Sequence, residues 1–342
     1  MRLTTLVPTL ACVAAVPLAI AADPQLKFDG FVDSILSTTS LINSDPEDRE
    51  SNTKFSYAAK LGLAATITEK IAAQVDLYAP GDGSIGVKQA YGTWSPMSGL
   101  EIKSGKFIGD VGWVAAYAPN LFRINAGPIV GLYTVDPTGV RVGYATEPIS
   151  VGLTVSNGLF SEHDDQGQSD VGQPNEHFGY TLDIVFTLPD DKGSINAEAA
   201  YDMSATGTEG DALHLGLNAT LTPAQSLTVG AEVIYQNFAV PQGSTGDDTT
   251  KLGALLMANL KLGQALPFES SVTAMWQYVS TDDGSTEDTT HEAALALLTY
   301  PGGSDKLGLN FEVNYMMTSS DDGTTETSAD TLGGAVELLY VF

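Results

Sequence analysis

The sequence predicts an all-β fold, a transmembrane antiparallel up-and-down β-barrel of about 16 strands with short periplasmic turns and long outer loops. Three observations predict it. Segments of roughly 9 to 13 residues with alternating apolar and polar side chains recur from Leu26 onward, about the length a tilted strand needs to cross a bilayer. The connections between them alternate between short and long. The last segment, Thr331 to Phe342, places Leu332, Val336, Leu338, Tyr340 and Phe342 on one face and ends on an aromatic ring.

Taken in order, the chain opens with a short positive start at Arg2 and a nearly uncharged run from Leu3 to Ile20, with small residues around Ala21. That pattern reads as a signal peptide over residues 1–21, leaving 22–342 as the barrel. Cys12, the single cysteine, would leave with it, so thiol and disulfide chemistry are not expected of the mature chain. The acidic excess, 42 Asp and Glu against 15 Lys and Arg, excludes nucleic acid as a physically sensible partner. No run after residue 21 approaches the ~20 apolar residues of a membrane helix, so a spanning structure has to be built of strands.

The strands are expected at 26–36, 54–66, 70–78, 84–95, 99–107, 138–146, 149–157, 178–188, 194–204, 211–221, 226–238, 250–262, 268–279, 290–300, 306–317 and 331–342. Between them, the connections at 67–69, 95–98, 146–148, 189–193, 222–225, 263–267 and 301–305 are short and rich in Pro, Gly, Ser and Asp, as turns require. Those at 37–53, 108–137, 158–177, 239–249, 280–289 and 318–330 are longer and mostly polar, with 79–83 and 205–210 as shorter members of the same set. Both termini are then expected on the periplasmic side of a bacterial outer membrane. Aromatic residues sort by strand end: Phe55, Tyr57, Phe178, Tyr180, Tyr201, Tyr235, Trp276, Tyr278 and Tyr315 fall beside long connections, and Phe186, Phe268, Tyr340 and Phe342 beside short ones. Two such belts match the two interfaces of a bilayer.

The opposite faces carry small, polar and charged residues, which suits a hydrated lumen. Inward parity gives a basic wall of Lys54, Lys60, Lys88, Lys103 and Arg141, and an acidic wall of Asp183, Glu198, Asp202, Glu232, Glu269, Glu292, Glu312 and Glu337, interrupted by Lys251 and Lys261. Such walls would set a field across the pore, with a mild preference for cations because acids outnumber bases. The longest and least polar outer connection, 108–137, is expected to fold inward or to cover a subunit contact, since water would not tolerate it exposed. Folded inward, it would bring Asp110 and Arg123 to a constriction; alternatively, part of it near 129–135 is strand.

Chemistry of turnover is not legible. His163, His177, His214 and His291 belong to no zinc motif and to no Ser–His–acid arrangement, so an outer-membrane hydrolase is the weaker rival reading. No cofactor is expected. Acidic clusters in the outer loops, such as 45–50, 162–165, 282–288 and 321–326, suit hydration, or divalent cations bridging the loops to lipopolysaccharide. A structural or adhesin barrel would use the same loops as a binding surface.

Gln89-Ala90-Tyr91, Gly105-Lys106-Phe107, Asn120-Leu121-Phe122-Arg123 and Thr138-Gly139-Val140-Arg141 with Tyr144 resemble, in order and spacing, the OmpL-like beta-barrel porin family. The resemblance covers the first half of the mature chain and implies an outer-membrane channel for the passive diffusion of small hydrophilic solutes; the segment after Phe107 departs from the pattern. Partners then expected are outer-membrane lipid, two further copies in a homotrimer, and the barrel assembly machinery, for which Tyr340 and Phe342 would be the insertion signal.

Overall fold

The computed structural model describes residues 25–42, 51–81, 83–109, 111–134, 136–160, 177–204, 210–240, 246–263, 266–301 and 306–342. The expected signal peptide, Asp110, His163 and the acidic clusters at 45–50 and 162–165 lie outside the described residues.

In chain order the strands are β1 Gln25–Leu41, β2 Ser51–Thr68, β3 Ile71–Ala79, β4 Gly86–Met97, β5 Leu100–Lys106, β6 Thr138–Thr146, β7 Ile149–Ser156 and β8 His177–Thr187. They continue with β9 Gly193–Ser204, β10 Ala212–Ala224, β11 Leu227–Phe238, β12 Thr249–Lys261, β13 Glu269–Asp282, β14 Glu287–Tyr300, β15 Leu307–Asp321 and β16 Glu326–Val341. Each pairs antiparallel with its neighbour in sequence, and β1 pairs with β16, so the sheet closes and no edge is left for lipid to solvate. At the seam Gly30 and Phe342 exchange backbone hydrogen bonds of 2.9 and 3.0 Å.

Period-2 alternation decides which face meets lipid. Leu215 and Leu217, Leu252 and Leu256, and Phe311, Val313 and Tyr315 point outward, while His214, Glu232, Gln277 and Asn310 from the opposite parity are buried inside. The rings expected at the two strand ends lie on this outer surface, with Phe55 and Phe342 among the most exposed.

Two outer connections differ from expectation. The polar segments 280–289 and 318–330 are mostly strand, and the turns shrink to 283–286 and 322–325. Ser and Thr pairs such as Thr289 with Ser319 continue the ladder where no apolar residue marks it, their hydroxyls 2.6 Å apart. Both hairpins then close on the same chemistry. Asp283 accepts hydrogen bonds from the amides of Ser285 and Thr286 at 2.9 and 2.8 Å, and Asp322 accepts them from Thr324 and Thr325 at 2.8 and 2.7 Å. Gly284 and Gly323 take the left-handed backbone each turn requires, at φ 80° and 76°.

Inside the barrel the chain builds a core that sheet alternation alone does not call for. Ile234, Leu255, Met257 and Met275 point inward and pack against Ile129 and Leu132 of the 107–137 segment. A second group joins Val111, Leu159 and Phe160 to Ala200 and Ala212. Burying the larger of these side chains against each other stabilises each by roughly 1.5–3 kcal/mol, and this burial holds an apolar connection inside the barrel.

Candidate pore site

Between β5 and β6 the chain turns into the lumen. Pro119 and Pro128 stand at the starts of the short 3-10 turns Ala118–Asn120 and Pro128–Leu132, where a missing amide hydrogen costs nothing. Elsewhere in the segment the backbone amides would be orphaned away from water. The inward side chains of the wall supply the partners.

On the β9–β15 side, Glu198 accepts from the amide of Gly112 at 3.1 Å, and Glu232 from the amide of Trp113 at 2.8 Å and the hydroxyl of Tyr133 at 2.5 Å. The Trp113 indole donates to Thr220 at 2.6 Å. Gln277 accepts from the Ile129 amide at 3.0 Å and donates to the Ala126 carbonyl at 2.9 Å; Gln236 donates to the Leu132 carbonyl at 2.6 Å. Inward glycines make the room. A Cβ on Gly253 would lie 2.5 Å from Leu132, and one on Gly230 would enter the Trp113 ring.

The strongest attachment is Arg123. Nη1 and Nη2 grip Glu292 at 2.8 and 2.7 Å, while Nε and Nη2 grip Glu312 at 3.2 and 2.7 Å. Glu312 also takes the amide of Ile124 at 2.8 Å and the Asn125 side chain at 2.9 Å, and Asn314 donates to Glu292 at 2.7 Å. Burial alone would lower the Arg123 guanidinium; the hydrogen bonds and charges of Glu292 and Glu312 outweigh it and hold Arg123 above its ordinary value. Tyr133 moves the same way, burial and the Glu232 charge both raising its hydroxyl.

Across the lumen the same segment touches β1, β3 and β4. Tyr117 donates to the fully buried Asp76 at 2.9 Å, beside Gln89 at 2.7 Å from the same carboxylate. Its ring sits 5.9 Å from that of Phe31, and the Lys60 ammonium lies 4.8 Å from its centroid. The segment is therefore tied to opposite sides of the barrel, to β3 through Tyr117 and to β11, eight strands round the closed order, through the Trp113 amide and the Tyr133 hydroxyl on Glu232, with Arg123 as a third attachment to β14 and β15.

Of the basic residues expected to line the lumen, Lys60 bridges Asp29 and Asp76 at 2.9 and 3.3 Å, Lys88 pairs with Asp136 at 2.5 Å, and Arg141 with Asp183 at 3.0 Å. Lys103 lies 5.1 and 5.4 Å from the rings of Tyr91 and Phe107, and Lys54 is exposed near the outer end of β2. Among the acids, Asp202 accepts from the Leu159 amide at 2.6 Å, Glu337 from Asn310 at 2.5 Å, and Glu269 is exposed. Arg123, Glu292 and Glu312 meet at one point; Lys54, Glu269 and Glu337 do not join them. The hydrated acidic wall expected from parity is corrected here: Glu198, Glu232, Glu292 and Glu312 are buried, because the inner segment uses them as hydrogen-bond acceptors. Where a strand is the alternative near 129–135, Pro128–Leu132 forms a 3-10 turn instead. Parity reasoning missed Trp113, Tyr117, Tyr133, Gln236 and Gln277. The readable signal for them was the inward apolar patch Ile234, Leu255, Met257 and Met275, which a purely hydrated lumen would not carry.

His214 is sealed between Glu198 and Gln236, and His291 stands on the outer surface 4.9 Å from the Tyr278 ring, so the two do not form one patch. Among the described residues, no three His, Cys, Asp or Glu side chains converge to hold a metal ion.

No curated protein matches the sequence. Solved porins and outer-membrane proteins share the fold. An anion-selective porin from Comamonas acidovorans superposes with a TM-score of 0.67 at 13% identity, over 94% of this chain and 100% of that one. The outer membrane channel DcaP of Acinetobacter baumannii gives 0.64 at 13%, over 93% and 97%. OmpT of Vibrio cholerae gives 0.62 at 10%, over 94% and 99%. The family described as "Putative beta-barrel porin-2, OmpL-like" matches residues 49–266, well over half of the chain. With its closed barrel and inward-folded segment, this chain belongs to the OmpL-like beta-barrel porin-2 family and is an outer-membrane channel for small solutes.

Proposed function

We propose that the segment 107–137 sets the width of this channel, and that solutes pass by diffusion, without turnover chemistry or cofactor, through the space it leaves. The carrying observation is its attachment to opposite walls, by Tyr117 to Asp76 of β3 and by Trp113 and Tyr133 to Glu232 of β11, with Arg123 held between them by Glu292 and Glu312. A segment held at two such points narrows whatever passes beside it. Because Arg123 is matched by more than its own charge and further acids stand at Asp29 and Glu269, cations are favoured weakly.

Both termini lie at the periplasmic side, where the short turns are, and the assembly machinery reads Tyr340 and Phe342. The chain works as a homotrimer in outer-membrane lipid, a reading supported by a solved trimer form of OmpT from Vibrio cholerae that shares the fold. Carboxylates of the outer loops beyond those used in the 283–286 and 322–325 turns bridge divalent cations to lipopolysaccharide.

Planar-bilayer conductance of the full chain and of a variant lacking 115–130 tests the constriction. A several-fold larger conductance is expected from the deletion; unchanged conductance in a folded barrel would dismiss it.

A further inference from the structure

Beneath the inner segment, toward the short turns, a cavity of about 350 Å³ opens between residues 119–122 and the wall formed by β12, β13 and β14. Its lining carries two charged side chains of opposite sign, Lys261 and Glu269, both exposed to the lumen. Lys261 stands opposite Ser271 in the ladder, and Glu269 lies two residues along β13 from Ser271 on the same face. The two are near neighbours, yet among the described residues they form no ion pair of 4.0 Å or less with each other or with a third group, unlike Lys60, Lys88, Arg123 and Arg141. Nearby, Arg123 has all three nitrogens engaged by Glu292 and Glu312, which take four of its five N–H donors.

The rest of the lining is mixed. Asn259 donates to Ser271 at 3.0 Å and to Thr273 at 2.8 Å, which leaves its carbonyl oxygen and the serine hydroxyl hydrogen for a guest. Phe122 and Leu298 present apolar surface, and Tyr300 faces Glu269 across the ladder. An anion subsite, a cation subsite two residues along the neighbouring strand and an apolar wall beside them complement one chemistry: a small zwitterion with an apolar side chain.

Resting on the channel reading, we propose that this vestibule is a binding site for zwitterionic amino-acid-sized solutes, with Lys261 taking the carboxylate, Glu269 the ammonium, and Phe122 and Leu298 the side chain. The site lies on the periplasmic side of the Arg123 attachment, so a solute meets it after passing the inner segment from outside.

Equilibrium dialysis with labelled phenylalanine on the detergent-solubilised full-length barrel, beside Lys261→Gln and Glu269→Gln, tests the site without requiring conduction. Phenylalanine should bind the wild type, and each variant should weaken it roughly tenfold, the change expected when one ionic contact of about 1.4 kcal/mol is lost. Phenylacetate should lose affinity only in Lys261→Gln, and phenethylamine only in Glu269→Gln. Absent binding, or equal binding by wild type and both variants, overturns the proposal. Salt conductance of the same preparations in a planar bilayer is read separately, so a barrel that conducts but does not bind refutes the site and leaves the channel standing.

Discussion

Arg123 and Glu312 lie 189 positions apart in sequence and meet through nitrogen–oxygen contacts of 2.7 and 3.2 Å. The pair is buried together with Glu292, and its worth lies less in net stability than in what its loss would leave behind. Removing one partner of a buried ion pair costs about 3–5 kcal/mol, because the other charge stays desolvated. Arg123→Ala is therefore expected to release the inner segment rather than unfold the wall. Heat-modified mobility on gels should still report a closed barrel, while protease cuts within 111–133 and conductance rises.

At Gly127 the backbone adopts φ 82°, and a Cβ there would lie 2.4 Å from Gln277 and 2.6 Å from Glu292. Gly127→Ala combines a strained backbone with a clash against that carboxylate, so a loss of about 1–3 kcal/mol in the local attachment is expected. Limited proteolysis should detect it as faster cleavage of the inner segment, and the effect should add little to Arg123→Ala, since both act on one attachment.

Three tryptophans sort by environment. Trp113 is inside, stacked on Phe122 with centroids 5.5 Å apart, whereas Trp94 and Trp276 are on the outer surface, 51% and 38% exposed. In vesicles of brominated lipid, single-tryptophan variants keeping Trp94 or Trp276 should be quenched, and one keeping Trp113 should not. Quenching of Trp113 alone would reverse the assignment of faces.

The hairpin turns give a pH prediction. Hydrogen bonds from Ser285 hold Asp283 below the usual aspartate range, and those from Thr324 do the same for Asp322. A depressed carboxylate contributes order above its unfolded value, and that contribution is lost as pH falls through the folded one. Amide protection at Ser285 and Thr324 should hold near pH 4 and fade below it. Asp283→Asn should flatten that dependence at Ser285.

Strand identity was legible because lipid outside and a different environment inside force a period of two, which Leu215 to Leu221 or Phe311 to Tyr315 display without interruption. Strand ends were less legible in the tall hairpins, where Thr289, Thr290 and Ser319 continue the ladder and hydropathy no longer changes. Parity placed Glu232 and Glu312 inward correctly, but it carries no information about what else is inside. Whether an inward carboxylate meets water or the amide of Trp113 or Ile124 is decided by a segment more than a hundred residues away in sequence. The glycines at 230 and 253, opposite Trp113 and Leu132, record that neighbour only once its position is known.

The attachment of residues 111–133 to β9 through β15 also orders events in time. This stretch leaves the ribosome before the strands that receive it, and its Trp, Ile and Leu side chains have no native shelter until those strands stand beside one another. Seating the inner segment must therefore come late in biogenesis, after the wall around it. Until then it behaves as a sticky, unpaired ribbon in transit across the periplasm, the kind of surface a holding chaperone would be needed to mask.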